Sequence, residues 1–170
     1  MNRIAQFEKV SFAQFRESVL GDFGDDPGRI QNMYDMIELP KRATAGSAGY
    51  DFGTPFDIHL ESGRTVKVPT GIRARMDEDW VLMIFPRSGL GFKYRLQLDN
   101  TVGIIDSDYY FSDNEGHIFI KITNDSNDGK VLDIKAGSGF AQGLFIPYGI
   151  THDDDASAIR NGGFGSTDKA

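Results

Sequence analysis

Cysteine is absent from this chain of 170 residues, so neither a disulfide framework nor thiolate chemistry is open to it. That fits a reducing compartment. No apolar run approaches the ~20 residues that a membrane helix needs. The first nine residues, Met1 to Lys9, hold no apolar signal core. The expected location is the cytoplasm, with no membrane partner. Basic residues are the minority, 18 Lys and Arg against 25 Asp and Glu, for a formal net charge of −7. Phosphate backbones are held mainly by basic surfaces, so stable nucleic-acid binding is not expected. One small anionic ligand remains possible, because Arg, backbone N–H groups and a metal can reverse the potential inside one cleft.

Apolar residues make up 39% of the chain, and 13 Phe supply large faces to bury. The length suits one domain with a real core, and the composition is not that of a disordered chain. Residues 1–36 read as a helical extension. Ser11 caps a helix with Phe12, Phe15, Val19 and Leu20 on its apolar side, Gln14 sits at the capping-box spacing, and Gly21 is the expected stop. Asp26-Pro27 starts a second helix carrying Ile30, Met33, Tyr34 and Ile37 on one face.

From 37 to 150 the pattern is β. Ile58 and Leu60, Val66 and Val68, then Ile72, Ala74 and Met76 alternate with polar neighbours. Trp80 to Phe85, His117 to Ile122, Val131 to Ile134 and Phe140 to Pro147 are further strands. Many short strands between Gly-rich turns predict an all-β, jelly-roll-like sandwich or barrel. Residues 151–170 are polar and glycine-rich and read as a flexible tail.

The stretch Pro86-Arg87-Ser88-Gly89-Leu90-Gly91 sets a charged fork and a hydroxyl among glycines, a combination suited to gripping phosphate. After it, Leu98-Asp99-Asn100-Thr101-Val102-Gly103-Ile104-Ile105-Asp106-Ser107-Asp108-Tyr109 places a carboxylate behind an apolar strand, where it would be partly desolvated and able to act as a base. Asn100 can read a base edge with its donor and acceptor, and Gly103 lets backbone approach closely. Taken singly, these residues have ordinary readings too. Arg87-Ser88-Gly89 is equally an exposed turn, Asp106 a turn residue, Asp51 a strand entry and Gln142 a satisfied amide.

Together with Ala48-Gly49-Tyr50-Asp51, Phe140-Ala141-Gln142 and Arg160-Asn161-Gly162-Gly163-Phe164-Gly165-Ser166-Thr167, these stretches resemble the five ordered motifs of the dUTP diphosphatase (dUTPase) family, homotrimeric class. The resemblance runs from about Ile37 to Asp168. It implies hydrolysis of dUTP to dUMP and pyrophosphate, which limits uracil in DNA and supplies a thymidylate precursor. It implies Asp106 as the water-activating base, and Arg87, Ser88, Gly89, Gln142, Arg160, Ser166 and Thr167 on the phosphates. Asn100 and Gly103 would hold the uracil, Tyr109 would pack on the deoxyribose, and Phe164 would cover the base. Asp51 would orient a water on Mg²⁺ brought by the triphosphate. A homotrimer with shared sites is the implied partner state, and a short buried helix is expected after Arg87.

Two departures stand out. Gly139 occupies a position that is usually basic, and Tyr110 to Gly116 form a longer connection than the family pattern. Two other functions remain open at this level. The related dCTP deaminases share the fold and an Arg-Ser motif but use a Glu, and the third motif holds none. A non-catalytic β module that binds or regulates a protein is the other. His152-Asp153-Asp154-Asp155 reads as a solvated loop, Asn124 to Gly129 as a turn, and His59 and His117 as surface or strand residues.

Overall fold

In a computed structural model that describes residues 2–158 and 160, the chain opens with β1 (Ala5–Lys9), α1 (Phe12–Phe23) and α2 (Pro27–Asp35). Short strands come next: β2 (Lys41–Arg42), β3 (Tyr50–Gly53), β4 (Ile58–Leu60), β5 (Thr65–Pro69), β6 (Ile72–Met76) and β7 (Trp80–Pro86). Helix α3 (Ser88–Tyr94) leads to β8 (Leu96–Leu98) and β9 (Gly103–Ile105). A 3-10 turn at Ser107–Phe111 precedes β10 (Phe119–Asn124), β11 (Leu132–Ile134) and β12 (Gly139–Pro147).

The strands pair antiparallel in the orders β2-β3-β12-β7-β9, β5-β10-β8, β11-β4 and β1-β6. The fold is the expected all-β jelly-roll type, with helices in the minority. Alternation drives it. In β7, Leu82 and Ile84 are buried while their neighbours are half-exposed, and in β10 Ile120 and Ile122 face inward. Phe52, Phe140, Leu132 and Ile118 close the same core.

The N-terminal helices join that core through Phe15, Val19, Ile30 and Met33. Ser11 does cap α1, its Oγ accepting the Gln14 N–H at 3.1 Å. The helix passes through Gly21, however, and stops at Gly24, whose φ of 68° ends the helical path. A helical glycine costs only about 1 kcal/mol, and packing of Phe23 beyond it against Phe56 and the core offsets that cost. The strand β1 has no counterpart in the sequence reading. It exists because Ala5 to Lys9 pair with Met76 to Ile72 along an open sheet edge, which is a tertiary contact. The Arg87 segment does turn helical, but α3 buries none of its residues, and Phe92 is 92% exposed. His117 is also unlike its expectation: it is wholly buried and precedes β10.

Candidate functional site

Two groups of site residues emerge, one at each end of β7. At its C-terminal end, Arg87 follows Pro86 and lies over the β3-β12 pair. Its Nε stands 3.3 Å from Asp51 Oδ1, and its Nη1 donates to the Gly139 carbonyl at 3.3 Å. Gln142 sits opposite Asp51 in the ladder and donates from Nε2 to the Pro86 carbonyl at 3.2 Å. Three stretches distant in sequence, around Asp51, Arg87 and Gln142, thus converge on one patch. Ser88 and Gly89 open α3 at its exposed rim. The departure at Gly139 has a steric meaning here. A Cβ at that position would stand 2.9 Å from Arg87 Nη1, so the glycine leaves the space that the guanidinium fills.

The second group follows β9. The β8-β9 hairpin and the facing strands β5 and β10 enclose a cavity of about 340 Å³, lined by Leu98, Asn100, Gly103, Ile104, Ile84 and Phe119 among others. Its walls are mostly apolar with Asn100 at the rim, a composition suited to a flat heterocycle. Beyond it, Asp106 leaves the sheet half-buried. Arg160 sets Nη1 3.1 Å from Asp106 Oδ2 and 3.3 Å from Asp108 Oδ1, with its guanidinium 5.6 Å from the Tyr109 ring centre. Tyr109 is 5% exposed. Its hydroxyl donates to the His117 carbonyl at 2.8 Å, and burial raises its pKa, so it remains a neutral donor. Phe164, Ser166 and Thr167 lie outside the described residues.

Asp106 and Arg87 stand far apart within one chain. Ile105 pairs with Leu82, so Asp106 departs beside Val81, six residues from Arg87 along β7. At about 3.3 Å per strand residue that is a separation of about 20 Å. The Arg87 side chain also turns toward Asp51 and Gly139 rather than along β7.

From sequence, Ser18, Asn114 and Glu115 have no assigned role, Ser11 is a helix cap alone and His117 a surface or strand residue. In the structure, Ser11 with Glu115 and Ser18 with His117 tie the segment after Tyr109 to α1, and Asn114 bonds the Tyr109 hydroxyl. Only the capping signature of Ser11 hinted at any of them. The residues suit a divalent ion only in part on their own. Asp51 offers a hard, one-third exposed carboxylate that fits a water of hydrated Mg²⁺. Among the described residues no group of three or more His, Cys, Asp and Glu side chains is placed to hold an ion alone. Phosphate oxygens would have to supply the remaining ligands.

Known proteins resolve the chemistry. The dUTPase family model matches residues 35–168. The chain is 40% identical to the deoxyuridine 5′-triphosphate nucleotidohydrolase of Lactococcus lactis subsp. lactis over 134 residues, covering 77% of this chain and 88% of that protein. It is 38% identical to the Escherichia coli O9:H4 protein of the same name over 135 residues, covering 75% and 85%. Among solved structures it resembles the dUTPase of Streptococcus mutans, with a TM-score of 0.63, 35% identity and coverage of 85% of this chain and 97% of that one. A mutant dUTPase from Staphylococcus aureus phage phi11, described for its coordination of a structural Mg(II) ion, shares the fold at 18% identity, a TM-score of 0.63 and coverage of 92% and 99%. With the family model spanning all the quoted motifs, the chain belongs to the dUTPase family, and its reaction is the hydrolysis of dUTP.

Proposed function

We propose that each active site forms between copies of this chain in a homotrimer, one copy supplying Asp106 and the nucleoside pocket and another the phosphate clamp of Arg87, Ser88, Gly89 and Gln142. The observation that carries this reading is the separation of about 20 Å along β7. A nucleotide with its base by Asn100 and Gly103 and its α-phosphate at Asp106 points its terminal phosphates away from the Arg87 of the same chain. The exposed Phe92 beside that clamp supports a covering subunit.

In this reading Asn100 and the Gly103 backbone hold uracil in the cavity. Tyr109 packs under the deoxyribose, where a 2′-hydroxyl would collide with its ring. Asp106 orients a water on the far side of the α-phosphorus and takes its proton. Arg87 and Gln142 bind the non-bridging oxygens and gain strength as charge builds on the leaving pyrophosphate. Arg160 moves from Asp106 to the terminal phosphates as they arrive, which frees the carboxylate to act. Ser166 and Thr167 add donors there, and Phe164 covers the base. Asp51 would hold Mg²⁺ through a coordinated water, with the triphosphate oxygens as its other ligands, and the ion would supply charge neutralisation on the phosphate chain. The expected setting is the cytoplasm.

Mixing tests the shared site. Asp106→Asn and Arg87→Ala homo-oligomers should each be nearly inactive with dUTP and Mg²⁺. Unfolding and refolding them together at equal ratio should restore about one quarter of wild-type activity, since random assembly pairs an intact Asp106 with an intact partner Arg87 in that share of sites. No recovery in mixed oligomers would place both groups in one chain.

A further inference from the structure

The N-terminal extension ends two polar anchors on the segment that follows Asp106. At the first, Glu115 accepts the Ser11 backbone N–H and the Ser11 hydroxyl, each at 2.7 Å. Ser11 is the cap of α1, and a carboxylate at a helix N-terminus is favoured by the aligned peptide dipoles. The two bonds from Ser11 hold the Glu115 carboxyl below its ordinary pKa. In a capping box the reciprocal carboxylate or amide comes from three residues along. Here Gln14 turns instead to Ser18 Oγ at 3.2 Å, and Glu115, more than one hundred residues away, takes its place.

At the second anchor, the buried His117 ring accepts the Gly71 N–H on Nε2 at 2.8 Å. That leaves Nδ1 as the protonated nitrogen, 2.9 Å from Ser18 Oγ. The Ser18 hydroxyl donates onward to the Gln14 carbonyl at 2.9 Å. Both ring nitrogens are thus spoken for, one by the β5-β6 turn and one by α1.

Tyr109 is seated between the anchors. Its hydroxyl donates to the His117 carbonyl at 2.8 Å and accepts from the Asn114 side chain at 2.9 Å. Gly116, with φ of 69°, presses on the same backbone: a Cβ there would stand 2.8 Å from the Tyr109 carbonyl oxygen and 2.7 Å from Tyr110 Cα. Tyr110 is gripped in turn, its hydroxyl donating to Glu8 of β1 at 2.8 Å and accepting from Arg73 at 2.7 Å. Ser11, Ser18 and Glu8 all precede residue 35, where the family match begins. The longer connection of residues 110–116 and the extension are therefore built against each other.

We propose that Glu115 and His117 are positioning residues through which the N-terminal extension, by way of Ser11 and Ser18, holds Tyr109 in the orientation that rejects a 2′-hydroxyl; this rests on the reading of Tyr109 as the sugar gate. A steric gate discriminates only if it cannot yield. A tyrosine fixed at its hydroxyl and along its backbone cannot tilt to admit a ribose, and the anchors remove that freedom. Discrimination between dUTP and UTP, rather than turnover of dUTP, is then the property that the extension controls.

The test is the ratio of kcat/KM for dUTP over UTP, measured well below the melting temperature of each variant. Glu115→Ala should narrow the ratio on the order of tenfold, for loss of a charge-assisted anchor, and Ser18→Ala should narrow it by about threefold to fivefold, for loss of a neutral one, with most of the change in UTP. Glu115→Gln keeps an acceptor for Ser11 and should restore most of it. Tyr109→Phe keeps the ring and loses the tie to His117, and should narrow the ratio without abolishing dUTP turnover. Tyr109→Ala separates the two ideas. If it narrows the ratio while the anchor variants stay within about twofold of wild type, the gate stands and the positioning role is overturned. Lowered melting temperatures with an unchanged ratio overturn it as well, since they mark the anchors as merely structural. If Tyr109→Ala itself leaves the ratio unchanged, the gate reading fails first.

Discussion

Arg160 Nη1 rests 3.1 Å from Asp106 Oδ2, so the proposed base carries a cation from near the end of the chain. The pair is open to solvent on the carboxylate side, with the Asp106 side chain 49% exposed, and such pairs contribute little to stability, about 0–1 kcal/mol. Its significance is therefore chemical. A carboxylate must be free of its counter-ion to take a proton from water, and incoming phosphates compete for the guanidinium.

Asp106→Asn keeps the side-chain shape but removes the basic oxygen. Turnover of dUTP should fall by ~10²–10⁴-fold, the usual worth of a positioned base. Binding of a non-hydrolysable dUTP analogue should persist. Equilibrium binding beside single-turnover kinetics checks both, and near-normal turnover removes Asp106 from the role.

Gly139→Ala addresses the phosphate clamp. The new methyl group meets Arg87 Nη1 at 2.9 Å and pushes the guanidinium off the Asp51 patch. The side chain can swing, so stability should change by less than about 1 kcal/mol, while kcat/KM for dUTP should drop about tenfold or more. Unaltered kinetics would mean that the space left by Gly139 has no bearing on the clamp.

His117 predicts a pH dependence of stability. Burial pushes its pKa down from 6.5 to about 4, so the unfolded chain binds the proton more readily than the folded one. The stabilisation is complete above about pH 6.5 and drains away as pH falls toward 4, a loss on the order of 3 kcal/mol. Glu8 and Glu115 have lowered pKa values, the first through Arg73 and the second through Ser11, and so add a further loss below their ordinary value of 4.5. Urea unfolding between pH 7.5 and 4 should show the decline, and His117→Gln should flatten its upper part. Equal slopes in the two proteins would refute the assignment.

Chelation should separate catalysis from folding. An ion that arrives with the triphosphate stabilises only the liganded state. EDTA should suppress dUTP hydrolysis yet leave the melting temperature of the free protein unchanged. A marked fall in that melting temperature would reveal a metal held by the protein alone.

Local chemistry made much of this protein legible from its sequence. Period-two alternation in β4, β5 and β6 announced half-buried strands, because a pleated strand presents successive side chains to opposite faces. Ser11 and Asp26-Pro27 marked both helix starts, since capping is settled within one turn. The motif residues Asp51, Arg87 and Gln142 could be named as one site because their order along the chain resembled a known family, although periodicity alone did not bring them together. Tertiary structure decided the remainder. β1 forms only because an edge of β6 waits for it, and α1 runs past Gly21 because Phe23 beyond it packs on Phe56 and the core. His117 looked like a lone strand residue, yet it is a buried link between α1 and the β5-β6 turn. The placement of Arg87 and Asp106 at opposite ends of β7 follows from the register of β7 with β9. These outcomes depend on contacts between residues far apart in the chain, and no local pattern encodes which distant surface a side chain will meet.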